Sequence, residues 1–175
     1  PTGIGDAPNL YSDWARGASV CLVLGDNLFI GSGLMKSLRG ARDRFLEKGG
    51  AYCFLQEVAD PQRYGVATIA QDGTLDAIEE KPKQPKSNLA ISGMYFLDPS
   101  ASRKSKNMTR SKRGEFEIVD LLESYLSGES LSYEVMPRGT VWLDAGTPDS
   151  LLEASQYVAI VERRQRQLLG SPHEA

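Results

Sequence analysis

The chain has 175 residues, 41% hydrophobic and 25% charged, with a net charge of −3, the balance of a water-soluble fold long enough to bury a real core as one domain over 1–175. That charge gives no general attraction to nucleic acid or to an anionic membrane. No apolar run is long enough to span a bilayer and no basic segment leads into an apolar one at the start, so a cytoplasmic setting is expected.

"VCLVL" (20–24) reads as a buried strand, and it runs into Gly25-Asp26-Asn27. A carboxylate there is either part of an ordinary Gly-Asp turn or a group facing a ligand at a strand end, where open α/β sheets hold their ligands. A helix from about Ser32 to Glu47 follows, with Leu34, Leu38, Ala41 and Phe45 on one stripe and Gly49-Gly50 as its stop. "AYCFLQEV" is a second strand. "YGVATIA" is a third, turned by Gln71-Asp72-Gly73 into "TLDAIEEK" as an antiparallel hairpin. Lys83 to Asn88 is loop, and "LAISGMYFLD" is apolar on both faces, a central strand.

Ser102 to Gly114 carries six Lys or Arg and no acid, and reads as a loop that is either simply solvated or a rim facing phosphate. Glu115 to Leu126 is an amphipathic helix through Ile118, Leu121, Leu122 and Tyr125. "LSYEVM" and "VWLD" are strands. Thr147-Pro148 then caps a long helix to about Leu169 that buries Leu151, Ala154, Val158 and Val161. Strands alternating with helices around one hairpin make a single mixed α/β sheet. Cys21 and Cys53 read as buried structural thiols in a reducing compartment. His173, the only histidine, sits in a polar tail, which argues against histidine catalysis and a histidine-bound metal.

Three motifs carry chemistry. "DPQRYGVATI" sets an aromatic and a glycine at a strand start, where backbone can approach a ligand. "IEEKP" puts a carboxylate beside an ammonium, suited to hydroxyls and a phosphate and equally to a surface ion pair. "WLDAGTP" ends a strand on Asp144. Two lone carboxylates at two strand ends can share one hard cation with substrate phosphates, as Mg²⁺ prefers.

"LVLGDNLF", "DPQRYGVATI", "IEEKPKQPKSNLAISGMYFLD", "RGEFEIVDL" and "VWLDAGTPDSLLEAS" together resemble the sugar nucleotidyltransferase family, in its glucose-1-phosphate thymidylyltransferase branch, from about Pro1 to about Ala175. The resemblance implies a Rossmann-like nucleotide-diphospho-sugar transferase fold. Its three α/β/α layers enclose a mixed sheet with the strand ending at Gly25-Asp26 central. The implied reaction is attack of the glucose 1-phosphate phosphate on the α-phosphorus of dTTP, giving dTDP-glucose and pyrophosphate. By the same resemblance Asp26 and Asp144 match the Mg²⁺-binding aspartates. Gly65, Glu80, Lys81 and Ile91 match sugar and phosphate positions, Arg113 an arginine near the sugar phosphate, and Gly3 a segment near the base.

The departures matter as much. The family's Gly-rich G-x-G-T-R stretch, which cradles the triphosphate, does not occur in these 175 residues, so its N-terminal strands are expected to be missing. Thr2 and Asp6 replace the family's Asp and Gln, and Pro8 is expected to spoil the following helix. Ile30 and Ser32 stand where the family usually shows Tyr and His near a second, regulatory nucleotide site. Two readings of function therefore stand together. One is a thymidylyltransferase that keeps its sugar-phosphate half. The other is a non-catalytic relative that binds sugar phosphates or nucleotide sugars and self-associates, as a homodimer or larger, through the uncovered edge of "SVCLVLG".

Overall fold

The structure is a computed structural model describing residues 2–166 and 168–170. His173 lies outside the described residues. Helix α1 (Ala7–Ala15) leads to strand β1 (Val20–Val23), and strand β2 (Asn27–Ile30) to helix α2 (Leu34–Lys48). Then come β3 (Ala51–Glu57), the hairpin β4 (Gly65–Ile69) and β5 (Leu75–Glu80), and β6 (Leu89–Leu97). Helices α3 (Ala101–Lys106) and α4 (Ile118–Leu126), strands β7 (Leu131–Val135) and β8 (Val141–Asp144), and helix α5 (Pro148–Gln165) complete the order.

The main sheet runs β5-β4-β6-β3-β7, and β1 pairs with the far half of β6 beside β4. Only β3 and β7 run parallel; the other pairings are antiparallel. Alternation along β3 builds two cores, because successive side chains point to opposite faces. Cys53 and Leu55 join Tyr95 and Leu97 of β6 against Leu121, Leu122 and Tyr125 of α4. Tyr52 and Phe54 join Met94 and Phe96 against Leu34, Ala41 and Phe45 of α2. The result is a mixed sheet between helix layers, the α/β fold read from the sequence.

The structure corrects several expectations. β1 is not central: it pairs only with β6, its other edge has no partner among the described residues, and Val23 is 46% exposed. A four-residue strand paired along one edge and exposed at every second side chain is an edge strand, not a core strand. Cys21 lies on that edge and is exposed. Cys53 is buried, as read, and burial pushes its thiol up to about 12.

Pro8 does not spoil a helix. It occupies the first turn of α1, where the missing N–H would have no partner anyway, so it fits. The basic stretch is not all loop, because α3 runs through Ala101–Lys106. The amphipathic helix begins at Ile118 rather than Glu115. Thr147 does cap α5, accepting from the Ser150 N–H at 3.2 Å, but the helix stops at Gln165 with Arg166 left-handed. Of the four residues expected on its buried face, Ala154 is buried, Val158 and Val161 are half-buried and Leu151 is 55% exposed.

Candidate functional site

Asp26 and Asp144 meet through a two-stranded ribbon that short sequence runs did not reveal. β2 and β8 pair antiparallel with Asn27 opposite Asp144, which sets Asp26 and Asp144 at the same end. Asp26 is exposed in the turn after β1, and Asp144 is half-buried. Asp26 Oδ2 and Asp144 Oδ1 each lie 3.1 Å from the point a Cβ on Gly146 would occupy, so the two oxygens are separated by at most twice that distance. Any side chain at 146 would fill the cradle between the carboxylates.

Asn27 ties this end together. Its amide donates to Asp26 Oδ1 at 2.8 Å, and its Oδ1 accepts from Trp142 Nε1 at 2.6 Å. Gly93 of β6 makes room, since a Cβ there would stand 2.4 Å from Asn27 Oδ1. The Trp142 ring packs on Tyr64 with centroids 4.8 Å apart. Tyr64 immediately precedes Gly65 and accepts the Lys81 backbone N–H at 3.0 Å. The ribbon end and the hairpin end thus adjoin through one aromatic pair.

At the hairpin end five residues from four separate stretches of sequence converge. Gly65 pairs with Glu80 across β4 and β5. A Cβ on Gly65 would come within 3.5 Å of both Glu80 Oε2 and the Ile91 methyl, and within 2.6 Å of Val119. Glu80 Oε1 lies 3.7 Å from Lys81 Nζ and 3.5 Å from Arg113 Nη2. Burial pushes the Glu80 carboxyl above its ordinary range despite the pull of Lys81 and Arg113. Lys81 holds φ = 45°, a left-handed conformation that costs energy for a side-chain-bearing residue and is concentrated at ligand clamps.

Arg113 is already in carboxylate company. Its Nη2 donates to Glu117 Oε2 at 2.8 Å and to Oε1 at 3.0 Å, Nε donates to Oε1 at 3.1 Å, and Glu115 is 3.5 Å away. The hydrogen bond to Glu117 raises Arg113 further above its ordinary value. Glu117 itself is 7% exposed. Burial works against its charge, but Arg113 and Ser111 together hold its carboxyl below the usual range. Gly3 adopts φ = 101° against the Phe116 backbone, where a Cβ would clash at 2.4 Å. That places the N-terminal segment one residue from Glu117.

The structure therefore joins Gly65, Glu80, Lys81, Ile91 and Arg113 in one cluster, sets Gly3 beside it, and sets the Asp26–Asp144 pair across the Tyr64–Trp142 contact. Asn27, Trp142 and Glu117 escaped sequence reasoning. The Asn27 and Trp142 roles depend on a ribbon formed across more than a hundred residues. The Arg113–Glu117 spacing signals an ion pair only in a helix, and this stretch is a turn leading into one.

No group of three or more metal-ligating His, Cys, Asp or Glu side chains occurs among the described residues. Two carboxylates with a gap between them fit an ion that keeps several waters and takes further oxygens from phosphate, as Mg²⁺ does.

A profile of nucleotidyl transferases matches residues 1–160. The chain belongs to the nucleotidyl transferase family. Among curated relatives of this family, the glucose-1-phosphate thymidylyltransferase of Mycolicibacterium smegmatis is 43% identical over 174 residues, covering 99% of this chain and 59% of its own. That of Xanthomonas campestris is 42% identical, with 99% and 58% covered. The chain thus spans less than two thirds of these relatives' length.

A crystal structure from Bacillus anthracis, provisionally assigned as a glucose-1-phosphate thymidylyltransferase and solved with a sucrose, superposes with a TM-score of 0.77. It is 37% identical, and the match covers 89% of this chain and 60% of that one. A UDP-glucose pyrophosphorylase complexed with UDP-glucose shares the fold, with a TM-score of 0.79 at 22% identity over 91% of this chain and 63% of that one.

Proposed function

We propose that this nucleotidyl transferase chain carries the sugar-phosphate half of a glucose-1-phosphate thymidylyltransferase site, in one domain over 1–175. The observation that carries the reading is the convergence of Gly65, Glu80, Lys81, Ile91 and Arg113, which come from four separate stretches of sequence. Glu80 Oε2 beside the bare Gly65 backbone suits sugar hydroxyls, because a carboxylate accepts them while a glycine lets the ring lie close. Ile91 supplies an apolar wall. Lys81 and Arg113 supply the positive charge that a phosphate dianion needs, and their position fixes how the attacking phosphate oxygen is presented to the second substrate.

In this reading Asp26 and Asp144 hold Mg²⁺, which when bound neutralises charge on the reacting phosphates. The chain's own contribution is orientation: Asn27 fixes Asp26, Trp142 and Tyr64 fix the approach between the two ends, and Glu80 anchors the sugar. Positioning of this kind supplies much of the acceleration of phosphoryl transfer. Nucleotide-sugar chemistry and two free thiols both support a cytoplasmic setting. Among the described residues no helix is long and apolar enough to cross a membrane.

Calorimetric titration of glucose 1-phosphate into the chain and into Lys81→Ala tests the reading. The variant is expected to bind about tenfold more weakly or worse, the loss of one charged hydrogen bond. Equal affinity removes Lys81 from the site, and no binding by the parent chain overturns the reading.

A second reading, a non-catalytic binder that self-associates, is favoured by the unpaired β1 edge. An apolar groove of about 440 Å³ runs along it between Val20, Cys21, Met35, Leu38, Phe45 and Phe96. The 175 residues hold no Gly-rich Arg/Lys loop for a triphosphate. Pyrophosphate release by these residues alone, with dTTP, glucose 1-phosphate and Mg²⁺, is therefore expected to stay at background; robust turnover removes this second reading.

A further inference from the structure

Glu117 is a buried carboxylate whose partner is an exposed arginine. At 7% exposure its charge is costly unless paired, and an ion pair of this kind gains no net stability over an apolar packing of the same volume. Its place is the N-cap of α4, yet its side chain makes no capping bond. The carboxylate turns instead to Arg113, taking Nε and Nη2 together, and to the Ser111 hydroxyl at 2.7 Å. Arg113 keeps 47% of its side chain exposed, so it needs no buried partner for its own solvation.

The backbone is arranged to the same end. Ser111 N–H donates to the Glu115 carbonyl at 2.8 Å, Gly114 N–H to the Ser111 carbonyl at 2.9 Å, and Arg113 N–H to Ser111 Oγ at 3.2 Å. Ser111 therefore anchors both the backbone of Arg113 and the carboxylate that grips its side chain. The grip takes one edge of the guanidinium. Nη2 is left 3.5 Å from Glu80, and Nη1 has no hydrogen-bond partner among the described residues.

We infer that Glu117 is a positioning residue, clamping the Nε–Nη2 edge of Arg113, whose Nη2 also lies 3.5 Å from Glu80, so that Nη1 is left to donate to the phosphate of a sugar phosphate. The inference rests on the sugar-phosphate reading above. Glu117 touches no ligand in it. Its effect is to convert a flexible surface arginine into a fixed donor, so the entropy of ordering that side chain is not lost again on binding.

The test is a double-mutant cycle on binding, with glucose 1-phosphate followed by calorimetry and glucose by ligand-observed NMR, in the parent chain, Arg113→Ala, Glu117→Ala, Glu117→Gln and the double variant Arg113→Ala/Glu117→Ala. Glu117→Ala is expected to weaken glucose 1-phosphate about tenfold and to leave glucose unchanged. Glu117→Gln, whose amide oxygen still accepts one bond, is expected to recover part of that loss, and it carries the test should the alanine variant not fold. In the Arg113→Ala background Glu117→Ala is expected to add nothing. Unchanged affinity in both Glu117 variants, or a further loss in the Arg113→Ala background, overturns the positioning role while leaving the sugar-phosphate reading intact. A parent chain that binds glucose 1-phosphate with an Arg113→Ala variant that binds equally well overturns the role of the arginine and of its clamp together. A parent chain that does not bind overturns the reading itself.

Discussion

The two ends of the candidate site are built on different foundations. The Gly65–Glu80–Arg113 end stands directly on the closed core: Ile91 and Val119 are both core residues, and Leu121 and Leu122 of the same helix are fully buried. The Asp26–Asp144 end stands on a four-residue ribbon backed by α5, which buries only Ala154 completely. One end is held by packing, the other by a few polar bonds through Asn27. Under the proposed function, a site that grips a rigid sugar and also accepts a hydrated cation has use for both, because packing fixes geometry and a loosely backed pair of carboxylates adapts to its ligand.

The largest effect that sharpens this contrast is in the core. Leu122→Ala is expected to cost about 3 kcal/mol in urea denaturation, the usual price of a fully buried leucine whose surroundings cannot collapse. A loss under about 1 kcal/mol would show that the closed layer is no better packed than the ribbon. Next comes the polar lock. Gly93→Ala puts a methyl 2.4 Å from Asn27 Oδ1, so Asn27 must swing away and surrender its bonds to Trp142 and Asp26. A stability loss of about 1–2 kcal/mol is expected, together with weaker Mn²⁺ binding followed by electron paramagnetic resonance. Mn²⁺ affinity unaltered in this variant would mean that Asn27 does not govern the carboxylates.

The same contrast explains what could be read from the sequence. The β4–β5 hairpin was legible because its signals are local: alternating strands around Gln71-Asp72-Gly73, with Asp72 Oδ1 accepting the Thr74 N–H at 2.9 Å. The α2 stripe and the Thr147 cap were legible for the same reason. Ribbon pairing was not, because "NLFI" and "VWLD" are each four residues long and pair with one another across more than a hundred residues of chain. The edge position of β1 is not legible, because apolar composition reports a preference for burial without saying what supplies the cover. The candidate residues themselves came from motif resemblance; their convergence needed coordinates. Glu117 carried no local signal, since its N-cap position ordinarily favours Ser, Thr, Asp or Asn for a capping bond it does not make.

Acidification offers a smaller test, in which the two glutamates of the core-anchored end answer with opposite sign. Glu117 has its carboxyl lowered in the folded chain, so its contribution is complete above the ordinary glutamate range and is lost as pH falls through the lowered value. Glu80 is raised by burial, so its charge is a cost above the raised value, and that cost disappears as pH falls below the ordinary range. The groups facing the pair are Lys81, Arg113, Glu115 and Asp120, and Asp120 is itself raised by burial and by Glu117. Denaturation of the parent chain and Glu117→Gln between neutral pH and about pH 3 is therefore expected to show an advantage for the parent that shrinks on acidification. Glu80→Gln is expected to match or exceed the parent near neutrality and to converge with it in acid. Parallel curves for both variants would show that neither carboxyl is shifted by its surroundings.

The smallest expected effect lies on α5, behind the ribbon. Leu151 and Ile160 are each more than half exposed, so replacing either by serine removes little that folding buries from water. Leu151→Ser is expected to change stability by no more than about 0.5 kcal/mol in a dilute sample, the range of ordinary surface substitutions. The two exposed faces differ in what they offer a second copy. The β1 edge has unpaired backbone groups and an apolar groove beside it, whereas α5 has satisfied helix backbone and scattered apolar side chains. Self-association through β1 leaves α5 in water, and the small effect of Leu151→Ser then holds at every protein concentration. A loss that grows with concentration, with light scattering moving from dimer to monomer in the variant, would place the contact on α5 instead. The ribbon end would then be completed by a neighbouring chain, and the contrast between a packed end and an open one would hold only for the isolated monomer.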